Sequence, residues 1–356
     1  MKKKILIIFG GQSTEHDVSC SSAVNVIRSL DRDRYIPVII GITKNGEWLS
    51  VDSDMDILDG SWEFGRRRAI FSPDAGDRSV IFFDDESGEI VKTRVDCAFP
   101  VLHGKFGEDG TIQGLFELAR LPYVGAGVLS SSICMDKAFT KIIAGNIGVR
   151  QASFVLLTDN EISDAEFAVG KVESAFRYPV FVKPSNAGSS CGVTKAADRG
   201  ELIEALSKAG EIDRKILVEE TIIGREIECA VFGGGGDEVV SLGYGEVKSA
   251  SEFYDYDSKY NNPESKTTVS PQLPEGAAEE LQKTAIAVYK AVDCSGMARA
   301  DFFVTESGEI IFNEINTIPG FTNISMYPKI AEASGIEYKT LITMLIENGM
   351  KRYGGE

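Results

Sequence analysis

The sequence predicts an α/β protein: an N-terminal doubly wound parallel-sheet domain followed by two smaller α+β units. Three observations carry the prediction. Ile5 to Phe9 is a continuous apolar run ending in Gly10-Gly11, the pattern of a strand buried on both faces that feeds a turn. Strand-like and helix-like segments then alternate to about residue 135, the order that builds a parallel sheet covered by helices. The 356 residues also exceed one ordinary domain of roughly 150.

The elements follow in order. Ser13 to Leu30 sets Val18, Ala23, Val26, Ile27 and Leu30 at helical spacing. Tyr35 to Ile42 is a second strand, Asp96 to Leu102 another, and Thr111 to Arg120 a short helix through Ile112, Leu115, Phe116 and Leu118. Asp52 to Arg94 is charged and turn-rich, with a weak hairpin over Val80 to Val91. Ser131 to Ile147 reads as one helix anchored by Ile133, Met135, Phe139, Ile142 and Ile143. The amphipathic helices Asp164 to Ala175 and Asp198 to Ala209 flank a strand, Pro179 to Pro184, and a glycine-serine loop, Ser185 to Gly192. Ile216 to Glu220 is a short strand. Strands at Ile227 to Phe232 and Val239 to Tyr244 enclose the turn Gly233 to Gly236. Glu246 to Pro274 is polar, with Tyr254, Tyr256 and Tyr260; so long a loop is usually functional or disordered. Leu281 to Val292 is a helix, and Arg299 to Val304 pairs with Glu309 to Asn313 across Ser307-Gly308.

Composition narrows the function classes. The net charge is −17 and the pI about 4.7, which argues against a nucleic-acid partner, because phosphate neutralisation needs a basic face. A few lysines can still be focused on a small anion inside an acidic protein. The six cysteines form no CxxC pair, and most read as buried thiols. The apolar run after the N-terminal lysines is too short for a signal peptide, and no stretch approaches a spanning helix. The expectation is a soluble cytoplasmic protein with no membrane partner.

Five segments could carry chemistry. Lys183-Pro184-Ser185-Asn186-Ala187-Gly188-Ser189-Ser190-Cys191-Gly192 follows a strand and offers N–H groups and hydroxyls to phosphate oxygens. It is not a Walker A loop, and such a loop taken alone is more often a hairpin turn than a phosphate site. Arg299, Asp301, Glu314 and Asn316 converge if their strands pair. Two carboxylates and an amide oxygen suit Mg²⁺ held against phosphates, and an arginine suits a developing negative charge; a surface salt-bridge cluster is the alternative. Gly10-Gly11-Gln12-Ser13-Thr14-Glu15-His16 lies where parallel sheets bind ligands. Glu15 there would suit an ammonium group, or serve only as a first-turn partner of the helix dipole. Leu102 to Thr111 holds His103 among glycines, and a lone histidine near a turn is often structural. Phe253 to Tyr260 would suit a lid over a charged ligand, or a loop packed by its own tyrosines.

The motifs GGQSTEHDVS, LHGKFGEDGTIQG, KPSNAGSSCGV, FYDYDSKY and NEINTIPGFTNISMYP resemble, in order and over nearly the whole chain, those of the D-alanine–D-alanine ligase family of the ATP-grasp superfamily. The resemblance implies an N-terminal Rossmann-like domain at 1–137, a small ATP-grasp subdomain at 138–222 and a C-terminal subdomain at 223–356 carrying a lid loop at 246–274. It implies ATP-dependent joining of two D-alanines through a D-alanyl phosphate for peptidoglycan precursors. Glu15 matches the anchor of the first D-alanine's ammonium, tied to a Ser189–Tyr260 pair. Lys137 and Lys183 match lysines on ATP phosphates, and Lys259 the lid lysine that meets the transferred phosphoryl. Glu219, Glu220 and Ile222 match the adenine segment and Glu226 the ribose carboxylate. Asp301, Glu314 and Asn316 match ligands of Mg²⁺ or Mn²⁺, with two ions expected and a monovalent cation an option. Arg299 and the Gly320 N–H match the oxyanion site, Ser325 the holder of the second carboxylate, and His103 a histidine near the substrates. A homodimer is implied.

Three alternatives are weighed at this level. Lys259-Tyr260 argues against a D-lactate-type ligase, which loses that pair at the lid. An apolar Met326 after Ser325 favours a methyl over the hydroxymethyl of a D-alanine–D-serine ligase. A catalytically silent ATP-grasp nucleotide-binding protein should lack a metal ligand, the arginine or the lid lysine, and all are present.

Overall fold

The computed structural model describes residues 1–248 and 266–353. Lys259, Tyr260 and the rest of 249–265 lie outside the described residues.

Seven strands form the first sheet, in the order Ile90–Arg94, Ser79–Asp84, Arg67–Phe71, Trp48–Val51, Tyr35–Ile42, Lys3–Gly10, Cys97–Val101. Lys3–Gly10 runs parallel to both of its neighbours, as its unbroken apolar run predicts. The other four strands pair antiparallel; three come from the segment that reads as charged and turn-rich, and Ser79–Asp84 with Ile90–Arg94 forms the hairpin expected there over Val80 to Val91. Three of them bury one face: Leu49 and Val51, Ala69 and Phe71, then Val80 and Phe82 point inward, while Ile90–Arg94 at the sheet edge has no buried residue. That alternation is short, so charge masks it.

The helix expected over Ser131 to Ile147 is two helices, Val128–Met135 and Lys137–Asn146. Asp136 leaves helical geometry and its carboxylate accepts the Ala138 and Phe139 N–H groups, an N-cap inside an apolar periodicity. The break puts Lys137 at the first position of a new helix.

The second sheet is antiparallel, in the order Thr194–Ala196, Val180–Pro184, Lys215–Glu220, Phe154–Thr158. Helices Ala165–Ala175 and Arg199–Gly210, N-capped by Asp164 and Asp198, bury Val169, Val172, Leu202 and Leu206 against Val180, Val182, Ile216 and Val218. Each such burial contributes about 1.5–3 kcal/mol. The third sheet, also antiparallel, has the order Lys266–Val269, Asp237–Lys248, Arg225–Gly234, Gly296–Val304, Ile310–Asn316. Helix Ala277–Ala291 packs on one face through Leu281, Ala285 and Val288. Helices Met326–Ala333 and Tyr338–Tyr353 contribute Tyr327, Ile330, Leu341 and Leu345 to a core that also holds Ile5, Ile7 and Phe99 of the first sheet. One continuous core therefore fixes the first sheet against the third and leaves a cleft between them and the second. Among the described residues, no helix is long and apolar enough to cross a membrane.

Candidate active site

The cleft encloses a cavity of about 490 Å³, a size suited to a small-molecule site. Glu15 enters it from the first sheet. Gly10 turns the chain with φ +85°, and a Cβ there would lie 2.3 Å from the Ile42 carbonyl oxygen. Glu15 then occupies the N-cap position of helix His16–Ser29 but makes no side-chain cap bond. Its carboxylate faces the cavity instead, where the Ser189 hydroxyl donates to Oε1. Two glycines allow this approach: a Cβ on Gly104 or Gly188 would lie 2.7 or 2.5 Å from Glu15 Oε2.

Ser189 and Ser190 hold φ of 47° and 56°, a left-handed pair that costs non-glycine residues energy and marks constrained loops. Lys183, on the strand leading into this loop, donates to Glu219 Oε2 at 2.7 Å and Asn313 Oδ1 at 3.2 Å. Lys137 lies 3.0 Å from Glu314 Oε2 and donates to the Ala187 carbonyl at 2.8 Å. Lys141, one turn on, reaches Glu219 Oε1 at 3.1 Å. Burial alone would raise the Glu219 carboxyl, but Lys183 and Lys141 outweigh it and hold it below the ordinary range. Burial likewise opposes ionisation of Glu314, yet Lys137, with Arg299 and Lys183 behind it, brings that carboxyl down to about 2.

The hairpin converges as its spacing predicts. Arg299 pairs with Asn316 and Asp301 with Glu314, so strand alternation turns all four side chains to one face. Arg299 is bidentate on Asp301, at 2.8 and 2.6 Å, and 3.4 Å from Glu228. The Asn316 amide donates to Asp301 Oδ2 at 3.0 Å. Burial pushes Asp301 up to about 7; Arg299 opposes this, while Glu228 and Glu314 add to it.

Glu15, His103, Lys137, Lys183, Ser189, Glu219, Glu220, Ile222, Glu226, Arg299, Asp301, Glu314, Asn316 and Gly320 all line this one cavity. Ser325 does not; its Oγ accepts the Thr322 N–H at 3.0 Å and lies 2.7 Å from where a Gly320 Cβ would be. Lys259 and Tyr260 fall outside the described residues. Met326 is a correction. It is buried in the core beside Phe321 and Tyr327, with its sulfur 2.3 Å from where a Gly245 Cβ would lie, and it does not reach the cavity. Its apolar character is that of a core residue and says nothing of a substrate side chain.

Sequence reasoning passed over Glu108, Glu228 and Lys141. Glu108 Oε2 accepts the Gly104 N–H at 2.8 Å and its Oε1 the Ile318 N–H at 2.9 Å, stitching two cavity loops together. Burial raises its carboxyl to about 8, and the nearby Glu15 adds to the rise. Glu228 was legible, standing two residues beyond Glu226 on the same strand face. Lys141 had the i, i+4 spacing from Lys137 as its signal.

The donor chemistry fits a hard divalent cation. Asp301, Glu314 and Asn316 offer oxygens on one cavity wall, while only two of the three are carboxylates, and among the described residues no three His, Cys, Asp or Glu side chains form a metal cage. A site so sparse in protein charge suits an ion that takes its remaining ligands from phosphates and water.

The family comparisons agree with this geometry. Family profiles described as D-ala D-ala ligase N-terminus and C-terminus match residues 4–126 and 143–347. A D-alanine–D-alanine ligase of Acetivibrio thermocellus is 48% identical over 366 aligned positions, covering 99% of this chain and 97% of the relative. Among solved structures, the VanG D-Ala:D-Ser ligase of Enterococcus faecalis matches with TM-score 0.86 and 37% identity, covering 98% of this chain and all of that one. The D-alanine–D-alanine ligase of Coxiella burnetii matches with TM-score 0.85 and 37% identity, covering 99% and 95%.

Proposed function

From the premise that the chain belongs to the D-alanine–D-alanine ligase family, we propose that it joins two D-alanines to D-alanyl-D-alanine, with ATP converted to ADP and phosphate. The observation that carries this reading is the single cavity into which Glu15, Ser189, Lys137, Lys183, Arg299, Asp301 and Glu314 all project. A carboxylate is a poor electrophile and must first become an acyl phosphate. Lys137 and Lys183 orient the ATP phosphates, and the segment Glu219 to Ile222 receives the adenine, with Glu226 on the ribose. Asp301, Glu314 and Asn316 would hold Mg²⁺ or Mn²⁺, which supplies charge neutralisation at the phosphates. Glu15, steadied by Ser189, binds the ammonium of the first D-alanine. The γ-phosphoryl passes to that substrate's carboxylate and ADP leaves. The amine of the second D-alanine then attacks the acyl carbon, Arg299 and the Gly320 N–H take up the oxyanion, and phosphate departs. Ser325 stands near Gly320 for the second carboxylate. Lys259 and Tyr260 would close the chamber, since an acyl phosphate hydrolyses in water. A homodimer working in the cytoplasm completes the proposal.

The test is phosphate release from ATP together with product analysis, offering D-alanine alone and then against D-serine and D-lactate. Release that needs D-alanine, with D-alanyl-D-alanine as main product, is expected. D-alanyl-D-serine as main product would move the chain to the D-serine class, as one structural neighbour is named. ATP turnover indifferent to D-amino acids would remove the ligase reading.

The glycine approach to Glu15 gives a second expectation. In Gly188→Ala the new Cβ meets Glu15 Oε2 at 2.5 Å, so the carboxylate must shift. The KM for D-alanine should rise about tenfold, or about 1.4 kcal/mol, while the KM for ATP and the melting temperature stay close to those of the parent. An unchanged D-alanine KM would detach Glu15 from the ammonium.

A further inference from the structure

The loop Thr317 to Phe321 carries the Gly320 N–H and is gripped on both sides of that glycine. Ahead of it, the Ile318 N–H donates to Glu108 at 2.9 Å, and the Ile318 carbonyl faces His103 Nδ1 at 2.9 Å. Beyond it, the Phe321 N–H donates to Ser22 Oγ at 3.1 Å, and the Phe321 carbonyl accepts from Asn25 at 2.9 Å and Tyr338 at 2.6 Å. Ser22 is fully buried on helix His16–Ser29, and its hydroxyl also lies 3.2 Å from His103 Nε2. It is the group that joins the two sides of the grip.

Proton accounting sets the direction of each bond. A carbonyl oxygen accepts only, so His103 Nδ1 carries the imidazole proton toward Ile318. One Ser22 lone pair is taken by the Phe321 N–H, and the hydroxyl proton is then directed at Nε2, whose lone pair it occupies. An imidazole in this state is a strut for the loop, with Nδ1–H on the Ile318 carbonyl and Nε2 facing the Ser22 hydroxyl.

We propose that Ser22 is a positioning residue for ligation: its hydroxyl, wedged between His103 Nε2 and the Phe321 N–H, holds the imidazole in the Nδ1–H form and aims the loop that presents the Gly320 N–H. The kinetic half rests on the ligase reading above; the tautomer half stands without it.

The chain has two histidines, so ¹⁵N-imidazole spectra of the intact protein, assigned with His103→Gln, report the tautomer directly. At pH 7, His103 should show the Nδ1–H pattern; an Nε2–H or cationic pattern overturns the proposal. Ser22→Ala should lower kcat roughly ten- to hundredfold, the cost of a small displacement of reacting groups, leave the KM for ATP within about twofold, and shift the His103 ¹⁵N signals. Ser22→Thr and Ser22→Val match each other in size and differ in the hydroxyl. Thr should recover activity and tautomer over Val by about tenfold, and equal behaviour of the two, or an unaltered kcat in Ser22→Ala, overturns the positioning role. If the parent protein forms no dipeptide but His103 is Nδ1–H and loses that pattern in Ser22→Ala, the ligase reading fails and the strut stands.

Discussion

Arg299→Met is expected to lower kcat by about 10²–10³-fold, the usual loss when one donor to a developing oxyanion is removed. It should also destabilise the fold by about 3–5 kcal/mol, because the guanidinium leaves buried carboxylates without a counter-charge. Both effects come from one geometry: Arg299 is 7% exposed, bidentate on Asp301 and 3.4 Å from Glu228. They separate by second variants. Glu228→Gln in the Arg299→Met background removes one stranded charge and should recover part of the melting temperature with no gain in kcat. Arg299→Lys keeps the charge but not the planar fork, so it should retain more stability than methionine while turnover stays low. Steady-state dipeptide formation and thermal unfolding of the four proteins check this. Turnover of Arg299→Met within threefold of the parent would show that the oxyanion is held elsewhere.

Much of the site was readable because its geometry is local. Arg299, Asp301, Glu314 and Asn316 sit on two strands of one hairpin, where a spacing of two places side chains on one face. The glycine-serine loop follows its strand directly, so Ser189 and Lys183 come as a pair. Ile5 to Phe9 announced a parallel strand because both faces are buried. What stayed hidden depends on distant partners. The antiparallel strands Trp48–Val51 and Arg67–Phe71 bury one face each, and the charges around them dilute the apolar signal, whereas the hairpin of Ser79–Asp84 with Ile90–Arg94 was expected over Val80 to Val91. Asp136 breaks an apolar helix pattern because Ser185 and Lys215, 49 and 79 residues on, also bind its carboxylate. Glu108 stands unmarked among glycines; its role depends on the Ile318 N–H, 210 residues away. Met326 misled for the same reason, since its neighbour Gly245 is remote in sequence and the motif beside it suggested substrate contact.

Glu219 has the second large expected effect. Its two oxygens face Lys141 at 3.1 Å and Lys183 at 2.7 Å, and all three side chains are shielded from solvent. Glu219→Gln leaves two buried ammonium groups facing one neutral amide, at a cost of about 3–5 kcal/mol and roughly 10 °C in melting temperature. Lys183 also loses the anchor that sets its reach toward the phosphates, so the KM for ATP should rise by about tenfold. Adding Lys141→Met to Glu219→Gln removes one of the stranded charges and should recover stability, leaving the ATP defect in place. The pH dependence distinguishes charge from packing. Burial raises the Glu219 carboxyl, but the two lysines lower it further, so its folded value lies below the ordinary 4.5. The unfolded chain therefore binds the proton more readily, and the stabilisation is complete above about 4.5 and fades as the pH falls below it. The difference in melting temperature between the parent protein and Glu219→Gln should hold from pH 7 down to about 5 and narrow in more acidic buffer. A difference that stays constant through the acid range would mean that shape complementarity, and not the carboxylate's charge between two lysines, holds this end of the cavity together.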